Sequence, residues 1–349
     1  MNSKINVGLA SFGMSGRVFH APLIHHEESL NLYGIFERSP KGSKEVYPGI
    51  RVFTSFDDMM KDRSIDLIIV NTPDGYHYDM AMAALRAGKH VVVEKPFTVT
   101  TAQAESLHRW AEKLQKKVFV FHNRRWDSDF LTLKKLTEEN KLGELSLLDL
   151  TYFRYRPQIK KGHWREKAPT GAEILYNLGS HLIDQCLFLL GWPDQVFADL
   201  DAQRTGSKAD DYLMMALKYG KMRVVIKSGY IMAGAAPKIM AFGTKGSWIK
   251  YGEDPQEKQL AMGIKPSESN FGQESQSRWG RLCLMENDKL SEIQIPTQKG
   301  DYTAFYKGVS DILSGKENHD IPDSSSGVKV VKIIEKARES AQSQTWISC

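Results

Sequence analysis

Apolar residues follow one pattern in the first third of this chain and another in the remainder. Early on, short unbroken apolar runs alternate with stretches of helical character. Ile5 to Ala10, Leu30 to Phe36, Asp66 to Val70, His90 to Val93 and Val118 to Phe121 are rich in β-branched and aliphatic residues. Such runs mark strands of a parallel sheet, whose two faces are both covered. Between them, Tyr78 to Arg86 and Thr100 to Lys116 read as helices. Gly88 stands where a helix end accepts a left-handed residue, and Thr100 with Gln103 matches a capping box. Each apolar run stops on polar or glycine-rich residues: Ser11-Phe12-Gly13-Met14-Ser15-Gly16, then Glu37-Arg38-Ser39, then Asn71-Thr72-Pro73 with His77 shortly after. The last two stops are Glu94-Lys95-Pro96 and His122-Asn123-Arg124-Arg125-Trp126. Proline cannot donate to a sheet ladder, so the strand must end at Pro96. In an open α/β sheet, ligands bind beyond the carboxyl ends of the strands, so these five segments share one rim.

After Asn123 the pattern changes to longer strands separated by turn signals. They run over Leu145 to Arg154, Val196 to Gln203, Tyr212 to Tyr219, Lys221 to Tyr230, Lys238 to Phe242 and Ser247 to Tyr251. Tyr219-Gly220-Lys221 reads as a hairpin turn, and Ser267 to Ser277 as a loop. Helices are expected from Tyr176 to Leu190, Thr303 to Leu313 and Ser326 to Ala341. An alternating half followed by runs of strands predicts α/β plus α+β, in two domains: residues 1–123 and residues 124–349.

Composition narrows the function classes. With 349 residues, 41% hydrophobic and 26% charged, the chain has the make-up of a globular protein. No apolar run approaches the roughly 20 residues that a bilayer requires, so no membrane partner is expected. Met1-Asn2-Ser3-Lys4 leads straight into the first strand without a secretory apolar stretch. Cys186, Cys283 and Cys349 are far apart and show no paired spacing, which argues for reduced thiols and a cytoplasmic location. The net charge of +5 comes from lysines scattered among acids, so no nucleic-acid partner is expected. No His/Cys/Asp cluster has ligand spacing, so no metal is expected.

The first rim segment resembles the dinucleotide turn G-x-G-x-x-G with Ser11 in place of its first glycine. Gly13 would let the backbone approach a pyrophosphate, and Gly16 would let the following helix pack on the strand. Ser11, Phe12, Gly13, Met14 and Gly16 are therefore candidate cofactor contacts, with the pyrophosphate on the helix N-terminus. Roughly twenty residues further on, such a fold reads the adenosine ribose. Glu37 would bind the 2′-hydroxyl of NAD, whereas Arg38 and Ser39 would bind the 2′-phosphate of NADP. A cation and a hydroxyl side by side favour NADP, with NAD as the alternative. Thr72, Pro73, His77, Glu94, Lys95 and Asn123, at the other strand ends, complete the cofactor set.

The glycine turn, Asn71-Thr72-Pro73 and Glu94-Lys95-Pro96 together resemble the glucose–fructose oxidoreductase/inositol dehydrogenase family. Phe19-His20-Ala21-Pro22, His122-Asn123-Arg124-Arg125-Trp126-Asp127, His163-Trp164-Arg165-Glu166 and Lys250-Tyr251-Gly252 resemble its NADP-dependent scyllo-inositol dehydrogenase branch. The resemblance implies an N-terminal Rossmann domain and a C-terminal α+β domain with a large open, mainly antiparallel sheet. That sheet would bind substrate and pair copies of the chain as a homodimer or homotetramer.

The resemblance also implies an oxidoreductase moving a hydride between nicotinamide and a cyclic polyol or sugar-like alcohol. Lys95 and His181 become the catalytic candidates. A cation at the substrate oxygen stabilises developing alkoxide charge, and a histidine moves the proton. Asn177, four residues before His181, stands where the family usually has Asp. It can bind a hydroxyl but cannot take a proton. Asp184 would either orient His181 or form a structural ion pair. Arg124, Tyr155 and Trp164 join Asn177 as candidate substrate contacts. His20 is expected to be structural, and so is His77 unless it meets the cofactor. The alternatives are a same-fold reductase of another sugar or a dihydrodiol, and a non-catalytic dinucleotide-sensing protein; the latter would need neither Lys95 nor His181.

Overall fold

The structure is a computed structural model that describes residues 4–39, 42–159, 166, 171, 173–287 and 289–349, and every count below refers to these residues. The chain divides into two compact units: residues 1–123 with 256–271 and 301–328, and residues 124–255 with 272–300 and 329–349. Two later segments thus belong with the N-terminal residues, and the division is not a single cut.

The first unit holds a six-stranded sheet ordered β3-β2-β1-β4-β5-β6. Its strands are β1 Ile5–Leu9, β2 Leu30–Phe36, β3 Arg51–Phe53, β4 Leu67–Val70, β5 His90–Val93 and β6 Val118–Val120. All neighbouring pairs are parallel. Strands β4 and β6, and Val91 to Val93 of β5, are buried throughout. Complete burial is why their sequences run apolar without alternation. Helix His77–Arg86 ends with Gly88 at φ 75°, as its position in the sequence requires. Thr100 caps helix Thr101–Lys113 by accepting the Gln103 N–H at 3.3 Å. The Gln103 side-chain oxygen Oε1 has no partner among the described residues and does not return the bond to the Thr100 N–H, so only half of the expected capping box forms. Strand β3 is an addition that three residues could not announce.

The second unit holds a nine-stranded sheet ordered β14-β13-β12-β11-β7-β10-β9-β8-β15. Its longer strands are β7 Leu145–Phe153, β8 Gln195–Asp201, β9 Tyr212–Tyr219, β10 Met222–Gly229, β11 Pro237–Gly243 and β12 Gly246–Tyr251. β13 Gly280–Glu286, β14 Lys289–Ile295 and the short β15 Ile347–Ser348 complete it. All neighbouring pairs are antiparallel except β7 with β10. Leu213, Met215, Leu217, Val224, Ile226, Ile239 and Ala241 point into one core. Helices Ser128–Glu138, Ser180–Leu190 and Ser324–Ser343 contribute Leu133, Ile183 and Ile333 to that core. The intervening Met214, Ala216, Val225, Met240 and Phe242 lie on the opposite face and are half-buried.

Candidate active site

In the first unit the candidate residues lie at the carboxyl ends of the strands. Ser11 takes the place of a glycine in the first turn, and its hydroxyl accepts the Gly13 N–H at 3.1 Å. A Cβ on Gly16 would lie 2.3 Å from the Ser11 carbonyl oxygen and 2.8 Å from Asn71 Nδ2. That position therefore admits only glycine. At Gly13 a Cβ would meet nothing nearer than 3.4 Å, so no protein atom demands glycine there. A glycine there leaves the backbone open to close approach by a phosphate group. Asn71 donates to the Ser11 carbonyl at 2.8 Å, tying the β4 end to the glycine turn. Its own Oδ1 and the Thr72 hydroxyl are buried without a hydrogen-bond partner among the described residues. Buried polar groups are ordinarily paired, so these two suit a polar ligand at the rim. Phe12 is buried, whereas Met14 is 70% exposed. These features fit a dinucleotide.

At the end of β2 the two candidate ribose readers separate. Glu37 is buried, its amide donating to the Phe53 carbonyl and its Oε1 accepting the Ser43 N–H at 3.3 Å. Arg38 and Ser39 are exposed.

The end of β5 is held from two sides. Glu94 Oε1 lies 3.0 Å from His20 Nε2, and Glu94 Oε2 accepts the Lys95 N–H at 3.0 Å. Burial alone would raise the Glu94 carboxyl. The hydrogen bond from His20 and the neighbouring positive charge outweigh burial, and the group lies below its ordinary range. Lys95 is half-buried and precedes a cis peptide bond to Pro96. His77 is fully buried, with Nδ1 2.8 Å from the Pro96 carbonyl and Nε2 2.9 Å from the Thr72 carbonyl. Both ring nitrogens thus lie within hydrogen-bond distance of backbone carbonyls, and His77 links the chain after β4 to the chain after β5. Asn123 is buried at the end of β6.

In the second unit Asn177 lies in a single π-helical turn, Leu175–Gly179, that leads into helix Ser180–Leu190. Such turns recur at functional positions. Asn177 Nδ2 donates to the Tyr230 hydroxyl at 2.8 Å. Tyr230 carries the Arg204 guanidinium 5.1 Å from its ring centre, and Arg204 is itself paired with Asp211 and Glu166. His181 is 6% exposed, one turn after Asn177. Asp184 takes a bidentate pair from Arg125 at 2.8 and 2.7 Å, the ion-pair alternative raised by the sequence. Arg124 is buried, with Nη1 3.3 Å from Asp127 and its guanidinium 4.8 Å from the Tyr152 ring centre. Tyr155 is 63% exposed. Trp164 lies outside the described residues. The sequence did not single out Tyr230 as a site residue, because nothing in a strand-end tyrosine announces an asparagine partner.

The family profile for an oxidoreductase with an NAD-binding Rossmann fold matches residues 5–122, and that for the GFO/IDH/MocA C-terminal domain matches residues 130–249. The scyllo-inositol 2-dehydrogenase (NADP(+)) IolW of Bacillus subtilis is 37% identical over 344 residues, covering 98% of this chain and 95% of that protein. The chain belongs to the GFO/IDH/MocA oxidoreductase family. The oxidoreductase YdgJ of Escherichia coli is 38% identical over 342 residues, covering 98% of both chains. The solved structure of yvaA from Bacillus subtilis superposes with a TM-score of 0.96 at 36% identity, covering 99% of both chains. As a GFO/IDH/MocA oxidoreductase, this protein is an NAD(P)-binding enzyme, and each of its two sheets is of the kind the resemblance implied. Among the described residues, no helix is long and apolar enough to cross a membrane.

Proposed function

We propose that this enzyme is an NADP-preferring dehydrogenase of a cyclic polyol or sugar-like alcohol, with scyllo-inositol the first substrate to test. The observation that carries this reading is the near full-length similarity to an NADP(+)-dependent scyllo-inositol 2-dehydrogenase. The preference for NADP rests on β2. Glu37 is buried on the Ser43 amide, which leaves the exposed Arg38 and Ser39 to meet a 2′-phosphate. Thr72 and Asn71, whose buried oxygens have no hydrogen-bond partner among the described residues, complete the dinucleotide contacts beside Gly13.

When bound, the nicotinamide supplies the site that accepts or returns the hydride. Lys95 stabilises the negative charge that grows on the substrate oxygen, and His181 takes or returns the hydroxyl proton. Asn177, anchored by Tyr230, positions a substrate hydroxyl and exchanges no proton. Arg124, Tyr155 and Trp164 extend the substrate contacts. The outer face of the second sheet, with its half-buried Met214, Val225, Met240 and Phe242, joins two copies of the chain. Steady-state oxidation of a panel of inositols and sugars with NADP+ and NAD+ tests this reading. Fastest turnover of scyllo-inositol with NADP+ supports it, and no turnover of any polyol with either cofactor rejects it.

A further inference from the structure

The buried group most closely tied to the Lys95 strand end is one that the proposed chemistry does not use. His20 is completely buried, between the phenol of Tyr306 and the carboxylate of Glu94. Its Nδ1 lies 2.6 Å from the Tyr306 oxygen and its Nε2 lies 3.0 Å from Glu94 Oε1. Its ring packs 4.3 Å from the Phe121 ring, centre to centre. Tyr306 is fully buried as well and reaches this place from helix Thr303–Leu313.

The donors and acceptors admit one consistent arrangement with a neutral ring. Glu94 has a partner within hydrogen-bond reach of each oxygen, and as a carboxylate it accepts at both. One oxygen takes the Lys95 N–H, so the other must be met by a proton on His20 Nε2. Burial and then the Glu94 charge push the Tyr306 phenol well above its usual range, so it keeps its proton. It donates that proton to Nδ1, and the ring nitrogen that carries hydrogen is thereby set. A neutral imidazole whose second nitrogen is claimed in this way has one fixed tautomer.

We propose that Tyr306 and His20 are positioning residues for Lys95: Tyr306 sets the His20 tautomer, His20 holds Glu94, and Glu94 holds the Lys95 backbone. The inference rests on the reading of Lys95 given above, but its first test does not. Nitrogen-15 histidine spectra of the unmodified protein at pH 7, with His20→Gln to assign the signal, should show His20 as the neutral Nε2–H tautomer. In Tyr306→Phe that signal should broaden or move toward the other tautomer. An Nδ1–H tautomer or an imidazolium in the unmodified protein overturns the proposal.

The second test is kinetic. His20→Gln keeps an N–H for Glu94, whereas His20→Leu removes it. The leucine variant should lose at least about tenfold in kcat with little change in the KM for NADP+, and the glutamine variant should stay within about threefold of the parent. Equal losses in both variants, at matched melting temperatures, would show that the ring only fills space. Absence of polyol turnover in the parent protein would count against the functional reading alone, and the histidine spectra would still decide the tautomer.

Discussion

At the scale of single residues, Lys95, His181 and Arg38 carry the proposed chemistry. Lys95→Ala removes the charge meant for the substrate oxygen. Turnover should fall by about two powers of ten or more, while calorimetric titration shows NADPH binding within a few-fold of the parent. His181→Ala should behave alike, and the double variant should be little worse than either, since groups acting on one proton transfer are not additive. Near-normal turnover in Lys95→Ala would refute its role. Arg38→Ala should cost NADPH about tenfold or more in affinity and leave NADH nearly unchanged, the loss of one charge-assisted phosphate contact. An equal loss for both cofactors would assign the selection to Glu37 instead. Most of these side chains were legible because they follow strands that had to end. Tyr306 was not, for it meets His20 across 286 residues of sequence, and no periodicity links a helix tyrosine to a distant histidine. Tyr230 escaped notice for the same reason.

At the scale of elements, His90 offers a test of how β5 is seated. Its Nδ1 accepts the Lys117 N–H at 2.9 Å, joining the start of β5 to the residue before β6. Burial, then the charge of Lys116, pushes the imidazole down from 6.5 to about 4. The unfolded chain therefore binds a proton between pH 6.5 and about 4 that the folded chain refuses, and stability falls as pH drops through that window. His90→Gln, which cannot titrate, should show a flatter loss of melting temperature over the same range; an unchanged acid limb would mean that His90 charges freely in the folded protein. The elements also show what patterning can carry. Strands β4 and β5 were visible because burial on both faces left no room for polar residues. Strand β14 left no such mark because it is exposed at every residue but Ile295. Its Lys, Ser, Glu and Gln answer to solvent and carry no inward alternation.

At the scale of the whole molecule, the nine-stranded sheet has one face built into a core and one face with half-buried Met214, Ala216, Val225, Met240 and Phe242. Apolar sheet faces of this extent are ordinarily covered. Light scattering at micromolar concentration should give at least twice the mass of one chain, and Met240→Glu with Phe242→Glu should shift the protein toward monomer. A parent protein that is monomeric throughout would refute this assembly. The central claim, hydride transfer from a polyol carbon to NADP+, has a more direct test. The enzyme is incubated with NADP+ and scyllo-inositol deuterated on its ring carbons, and the mass of the NADPH formed is measured. The account predicts that the NADPH carries deuterium, at a rate about a hundredfold or more above that of Lys95→Ala. NADPH without deuterium, or no NADPH from this or any other polyol, would contradict it.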